Sequence, residues 1–389
     1  MYYTKRTVAN INLDNIIFNA KSYQRAIGDI PLMCVVKANA YGHSAKAIAT
    51  CLQDDLGVKW FAVANIDEAI RLREQQIRGN ILILGYTDPT EADRLIQYDI
   101  IQACMSYEYA EALNSFVSNQ FAGKSRVKVH IKLDTGMSRI GIPCDDTGLA
   151  VREAEKIYRL PNLVVGGIFT HLCVADSNNA DDEAYTKLQI DKIKEVRFRL
   201  EQNEYYVGCC HWLNSAGGVY TDSEGSDLAR LGIILYGLKP DSSLELPIEI
   251  RPVMELVSTV SMVKTIKSGT FVGYGRTFQA TKDMKLATVT VGYADGYPRL
   301  LSNKGEVLIN GTRCKVVGRV CMDQITVDAT NAEVEVGDDV ILIGKQGDEE
   351  ITVDDIASLC GTINYEIVCG ISSRVYRRAF RNGKQVLLD

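Results

Sequence analysis

The 389-residue sequence predicts an α/β chain. A (β/α)8 barrel of the TIM type is expected over residues 1–245 and a mainly-β domain over residues 246–389. Three observations predict this. Short apolar runs alternate with amphipathic stretches through the first part. Those runs number eight, the strand count of a closed βα barrel. Beyond residue 245 the alternation gives way to closely spaced strand patterns punctuated by Gly and Asn. A doubly wound open sheet is the alternative for the first part, but no G-x-G-x-x-G follows the first strand.

The eight runs are Leu32–Val36, Trp60–Ala64, Ile81–Leu84, Ile100–Cys104, Val127–Leu133, Leu163–Phe169, Cys209–Leu213 and Leu228–Tyr236. A helix over roughly Asn15–Ala26 precedes the first. Asp67–Arg78 and Asp181–Gln202 carry apolar residues at helical spacing on an otherwise charged background. In the second part, strands are expected at Val253–Ile266, Lys285–Tyr293, Glu306–Ile309, Cys314–Val320, Gln324–Val327 and Asp339–Ile343. One short helix is expected near Val353–Leu359. No linker rich in Pro, Gly or Ser separates the two parts.

With 46% hydrophobic and 24% charged residues, the chain has enough apolar material for a substantial core. The net charge of −6 and the lack of a Lys/Arg-rich run argue against nucleic acid as a partner. The opening Met1-Tyr2-Tyr3-Thr4-Lys5-Arg6 lacks the pattern of a secretory leader, and no apolar run reaches bilayer length. A cytoplasmic location without membrane partners is expected. The 11 cysteines are scattered without C-x-x-C or Cys/His spacing, so neither a metal site nor a disulfide framework is expected.

Catalytic groups of a barrel sit where its strands end. The first strand delivers Lys37-Ala38-Asn39-Ala40-Tyr41-Gly42-His43. A lysine desolvated there becomes a nucleophilic amine suited to a Schiff base, though a lysine snorkelling to solvent also fits. The fifth strand carries Lys132 and leads to Arg139. The sixth ends at His171, with Asp176 close behind. The seventh delivers Asn214-Ser215-Ala216-Gly217-Gly218, able to cradle a phosphate with backbone N–H groups. The eighth carries Arg230 before Gly232 and Ile233. Each residue also has an ordinary reading: core histidine for His171, surface ion pairs for the arginines, helix cap for Ser215. Their collection at five strand ends favours a site.

The segment Val36-Lys37-Ala38-Asn39-Ala40-Tyr41-Gly42-His43 resembles the cofactor-lysine signature of alanine racemases. Further matching segments, in family order, are LDTGMSRIG (133–141), GIFTHLCVAD (167–176), NSAGG (214–218), ARLGIILYGL (229–238), GYGRTF (273–278), GYADGY (292–297), GRVCMDQ (318–324) and NYEIVCGISSRVYR (364–377). Ser44 stands where the family usually has Gly.

The resemblance implies an isomerase that interconverts L- and D-alanine and supplies D-alanine for a bacterial cell wall. It implies pyridoxal 5'-phosphate on Lys37 and a head-to-tail homodimer with shared active sites. Lys37 and Tyr274, the latter from the partner subunit, would be the two acid/base groups exchanging the α-proton on opposite faces. His171 and Arg230 would stand behind Tyr274 as a hydrogen-bonded support, with Arg230 facing the pyridine nitrogen. Tyr41, Asn214, Ser215, Gly232, Ile233 and Tyr365 would hold the phosphate. Arg139 would meet the ring hydroxyl and the substrate carboxylate, and the Met322 backbone the same carboxylate. Lys132 matches a position often carbamylated, and Asp176, Tyr293 and Arg319 would line the access channel. The rival readings are a serine or broader-specificity racemase, a decarboxylase of related architecture, and a non-catalytic pyridoxal-phosphate carrier.

Overall fold

The computed structural model describes residues 6–386. Met1–Lys5, on which part of the leader reading rests, lie outside the described residues. The chain forms two compact units: one of Ile16–Ala40 and Ile48–Arg251, the other of the described parts of Met1–Asn15, Tyr41–Ala47 and Pro252–Asp389. Among the described residues, no helix is long and apolar enough to cross a membrane.

The first unit is a nearly closed parallel barrel. Its strands are Leu32–Val35, Trp60–Val63, Asn80–Ile83, Ile101–Cys104, Val127–Asp134, Leu163–Phe169, Cys209–His211 and Ala229–Leu231. Each pairs in parallel with its neighbour, and the eighth closes onto the first through Ala229↔Leu32 to Leu231↔Cys34. The seventh strand joins the eighth through the bridge Leu213↔Ala229. The eight expected strands are all present. The last is shorter than expected: the apolar run Leu228–Tyr236 turns at Gly232 and winds into a 3-10 segment, Ile233–Tyr236. Helix Ile66–Glu74 begins at Asn65, whose side chain accepts from the Glu68 N–H. The long helix Ala180–Gln202 starts with three acids in its first turn, matching the helix dipole.

The second unit is built on a ten-stranded sheet. Its spine is Met254–Ile266, whose partners include Val8–Asn12 and Asp339–Gln346, both antiparallel. Val8–Asn12 also pairs in parallel with Tyr376–Arg381. The opening strand therefore belongs to this sheet, although sequence order puts it with the barrel. Several elements differ from expectation, and the strand expected at Cys314–Val320 runs instead over Thr312–Lys315. Lys285–Tyr293 is a strand only over Met284–Val289, and Tyr293–Asp295 forms a 3-10 turn. A second helix, Asn364–Gly370, follows Val353–Cys360.

Candidate active site

The first barrel strand ends at an unusual turn. Ala38, Asn39, Ala40 and Tyr41 have φ between 50° and 55°, a left-handed helical turn directly after Lys37. L-residues resist this conformation by about 1–2 kcal/mol each, and such strain persists only where surroundings enforce it. Glu68 helps to enforce it. One carboxylate oxygen accepts from the Ala38 N–H at 2.7 Å and the other from the Ala64 N–H at 2.8 Å. The loops after the first two strands are thereby tied together around Lys37.

The fifth and sixth strand ends are also braced. One Asp134 oxygen accepts from the N–H groups of Gly136 and Ser138, both at 3.0 Å, which curls the loop that presents exposed Arg139. Thr135 and Thr170 share a buried hydroxyl hydrogen bond of 2.8 Å. His171 follows Thr170. Burial first, then Arg230 and Arg139, push its imidazole far toward the neutral form.

A polar chain lies inside the barrel. Lys132, Phe169 and His211 are in register on three adjacent strands. Phe169 and His211 stack with centroids 5.1 Å apart and planes at 4°. Lys132, only 3% exposed, donates to the Leu133 carbonyl at 2.6 Å. Burial, reinforced by the Arg230 charge, lowers its ammonium to about 7. Arg230 is also 3% exposed, which removes the surface ion-pair reading for it. It donates to His211 Nδ1 at 2.8 Å and to the carbonyls of His211, Thr170 and Trp212. Burial lowers its guanidinium to about 10.

The histidine hydrogen-bonded to Arg230 is thus His211, while sequence reasoning had paired Arg230 with His171. A second unforeseen histidine, His130, reaches His211 Nε2 through its Nδ1 at 3.2 Å. The signal was available: His130 and Lys132 are two apart on one strand and so share a face.

The seventh and eighth strand ends form a cradle. Asn214 Oδ1 accepts from the Gly217 N–H at 2.7 Å, and the Asn214 carbonyl accepts from Tyr23 at 2.8 Å. Ser215 Oγ accepts from the Gly232 N–H at 2.9 Å, so this serine ties two loops together instead of capping a helix. A Cβ on Gly218 would lie 1.9 Å from the Tyr23 hydroxyl, which makes glycine obligatory there. Ile233 opens a helical turn, whose first N–H groups have no acceptor within the turn. The turn start at Ile233, beside the buried Ser215 hydroxyl, fits an anion such as a phosphate.

In the second unit, Tyr41 and Tyr365 pack with ring centroids 6.1 Å apart. Gly42 has φ +80°, and its absent Cβ would lie 2.2 Å from the Val368 carbonyl. Arg377 holds the Gly42 carbonyl at 2.9 Å. Ser44 also sits at positive φ, 84°, a position where glycine is unstrained. Its Oγ accepts from the Ala47 N–H in partial compensation.

Tyr274 is 72% exposed and lies between Gly273 and Gly275, both at positive φ. A Cβ on Gly275 would meet the Arg319 guanidinium at 3.2 Å. Tyr293 and Met322 are 43% and 52% exposed. Their loops are joined by hydrogen bonds from the Tyr293 N–H to the Cys321 carbonyl and from the Ala294 N–H to the Met322 carbonyl. Tyr274, Tyr293, Arg319 and Met322 are therefore on linked loops. Asp176, on the barrel, is half-buried; burial and the carboxylates Asp241 and Asp182 push it upward.

Residues 11–240 match the profile of the alanine racemase N-terminal domain, and residues 253–379 match that of the alanine racemase C-terminal domain. The chain belongs to the alanine racemase family. It is accordingly a racemase, an enzyme of the isomerase class. A relative from Halothermothrix orenii, an alanine racemase, is 41% identical over 376 residues, which is 96% of this chain and 97% of that one. Among solved structures, alanine racemase from Clostridium difficile 630 superposes with TM-score 0.92 at 35% identity, covering 100% of this chain and 99% of that one. The histidine racemase of Leuconostoc mesenteroides subsp. sake has TM-score 0.88 at 28% identity, covering 98% and 99% of the two chains.

Proposed function

We propose that the protein interconverts L-alanine and D-alanine, with pyridoxal 5'-phosphate held at the barrel mouth. The observation that carries this reading is Lys37 on its strained turn, on the same barrel as an anion cradle at 214–218 and 232–233 and a buried Arg230. Pyridoxal phosphate, when bound, supplies an electron sink that acidifies the substrate α-carbon.

In this reading Lys37 holds the cofactor and moves a proton on one face of the α-carbon. Tyr274 of the partner subunit moves the proton on the other. The exposure of Tyr274 supports its working toward a second copy of the chain, and the exposed neighbours Tyr293 and Met322 supply apolar contact area for a head-to-tail homodimer. Asn214, Ser215, Gly232, Ile233, Tyr41 and Tyr365 hold the phosphate. Arg139 and the Met322 backbone of the partner subunit orient the substrate carboxylate. Arg230, a buried cation, would face the pyridine nitrogen and oppose its protonation, restraining side reactions that need a stronger sink. His171, kept neutral by its surroundings, supports the second base. Asp176, Tyr293 and Arg319 line the access channel, and the protein works in the cytoplasm on D-alanine for the cell wall.

The test is direct. Purified holoenzyme is given separate L-amino acids and the D-enantiomers are resolved by chiral chromatography. D-Alanine from L-alanine is the expected product; its absence would overturn the reading. A broader-specificity racemase is the second reading, favoured by the histidine racemase among the structural relatives. The same assay separates the two.

A further inference from the structure

We infer that His130 is a positioning residue which, through His211, fixes the direction of hydrogen bonding at Arg230. Its importance for catalysis rests on the reading above, in which Arg230 meets the cofactor ring.

The wiring follows from donor inventory. A guanidinium has no acceptor, so its 2.8 Å contact makes His211 Nδ1 the acceptor. A neutral imidazole then carries its proton on Nε2. That nitrogen lies 3.2 Å from His130 Nδ1, which must accept in turn, leaving the His130 proton on its own Nε2. Donation runs one way, from Arg230 to His211 to His130. A second proton at Nδ1 of either ring would set two N–H groups against each other. Burial agrees with this: it lowers His130 to about 4 and holds His211 well below the ordinary imidazole range. Each acceptor in such a chain strengthens the one before it, so His130 makes His211 a better partner for a buried guanidinium whose other hydrogen bonds go to carbonyls.

The fold builds a seat for His130. Register between the fifth and sixth strands slips here: Val129 faces Val165, but His130 faces Gly167, leaving Gly166 as the extra residue of a bulge. Bulges re-aim side chains. A Cβ on Gly167 would come within 2.9 Å of His130 Nδ1 and Cε1, so the ring occupies the space a side chain would need. Trp60, three strands away, packs on the same ring with centroids 5.7 Å apart. The ring is therefore set by packing before any hydrogen bond is counted.

The experiment is nitrogen-15 NMR of histidine-labelled protein, with and without pyridoxal phosphate, on wild type, His130→Asn and His130→Leu. Asn keeps an oxygen acceptor near the Nδ1 position; Leu removes it. Wild type should show both rings as the Nε2–H form at neutral pH. His130→Asn should preserve that form on His211 and keep racemase turnover within about threefold, whereas His130→Leu should mix the His211 tautomers and lower kcat about tenfold with KM little changed, the lower range for losing an outer hydrogen-bond partner. An Nδ1–H form of His211 in wild type would overturn the inference, as would a His130→Leu variant with unaltered tautomer and turnover. Should the Leu variant not fold, the wild-type and Asn spectra still decide. An intact tautomer pattern in a protein without racemase activity would count against the proposed function and leave the wiring supported.

Discussion

Burial of Lys132 should be measurable as a pH-dependent cost to the fold. The ammonium is lowered from 10.5 to about 7, first by burial and then by Arg230. Each pH unit of that displacement is worth about 1.4 kcal/mol, so the charged form costs the native state on the order of 5 kcal/mol. The native protein releases this proton near pH 7 and the unfolded chain keeps it to about 10.5. Stability should therefore be flat below pH 7 and rise above it, by at most about 1.4 kcal/mol per pH unit. In Lys132→Met this rise should vanish. The assay is urea unfolding of both proteins across pH 6–10 in buffer freed of carbon dioxide. At pH 7 about half of Lys132 is neutral amine, against about one in three thousand for an ordinary lysine. A neutral amine adds carbon dioxide and loses one proton to give a carbamate anion, which would pair with Arg139. Labelled bicarbonate should then yield a carbamate carbon signal in wild type only, and should raise stability and start its rise at a lower pH. Parallel stability curves for the two proteins, with no carbamate signal, would refute the argument.

Other outcomes follow from residues already described. Borohydride treatment of holoenzyme should fix the cofactor on Lys37, read by peptide mapping; label on another lysine would displace it. Lys37→Ala and Tyr274→Ala chains, each inactive, should regain activity when mixed and allowed to exchange subunits, because one hybrid site would be intact. Tyr365→Asn should narrow the preference in kcat/KM for alanine over serine, since loss of the ring opens space and offers a polar partner; an unchanged ratio would place selectivity elsewhere. Glu68→Ala strips acceptors from the Ala38 and Ala64 N–H groups. One of these hydrogen bonds is exposed and the other part-buried; at about 0.5–1.5 kcal/mol for each one lost, the substitution should lower Tm and loosen cofactor binding, as followed by calorimetry and dialysis.

How far the sequence revealed this protein can be argued from single segments. The barrel strands were legible because short apolar runs, bounded by polar loops, offer few alternatives. Leu228–Tyr236 was overread because an unbroken apolar run carries no periodicity to separate strand from 3-10 turn; Gly232 is where they divide. Helix Asn364–Gly370 was missed because it is one short stretch without a side-chain cap. The pairing of Val8–Asn12 with Met254–Ile266 spans most of the chain, and no local pattern reports it. Lys37, Arg230, Asn214 and Ser215 stood out because polar groups ending apolar strands demand a reason. Glu68 did not, since a glutamate in the first turn of a helix already has an ordinary role. His211 lay inside an apolar strand, where only its contact with Arg230 discloses its part.

The place of Val8–Asn12 also bears on how the molecule is made. A ribosome releases these residues first and Tyr376–Arg381 last, yet the first strand lies between Met254–Ile266 and Tyr376–Arg381 in one sheet. The second unit cannot complete its sheet during synthesis; it must wait for the chain's end while the barrel is already free to close. A gene trimmed to residues 246–389 would leave both of those strands with bare edges, prone to pairing with other chains. Adding the opening strand as a separate peptide should restore solubility, making it a natural point at which to split and reassemble the enzyme.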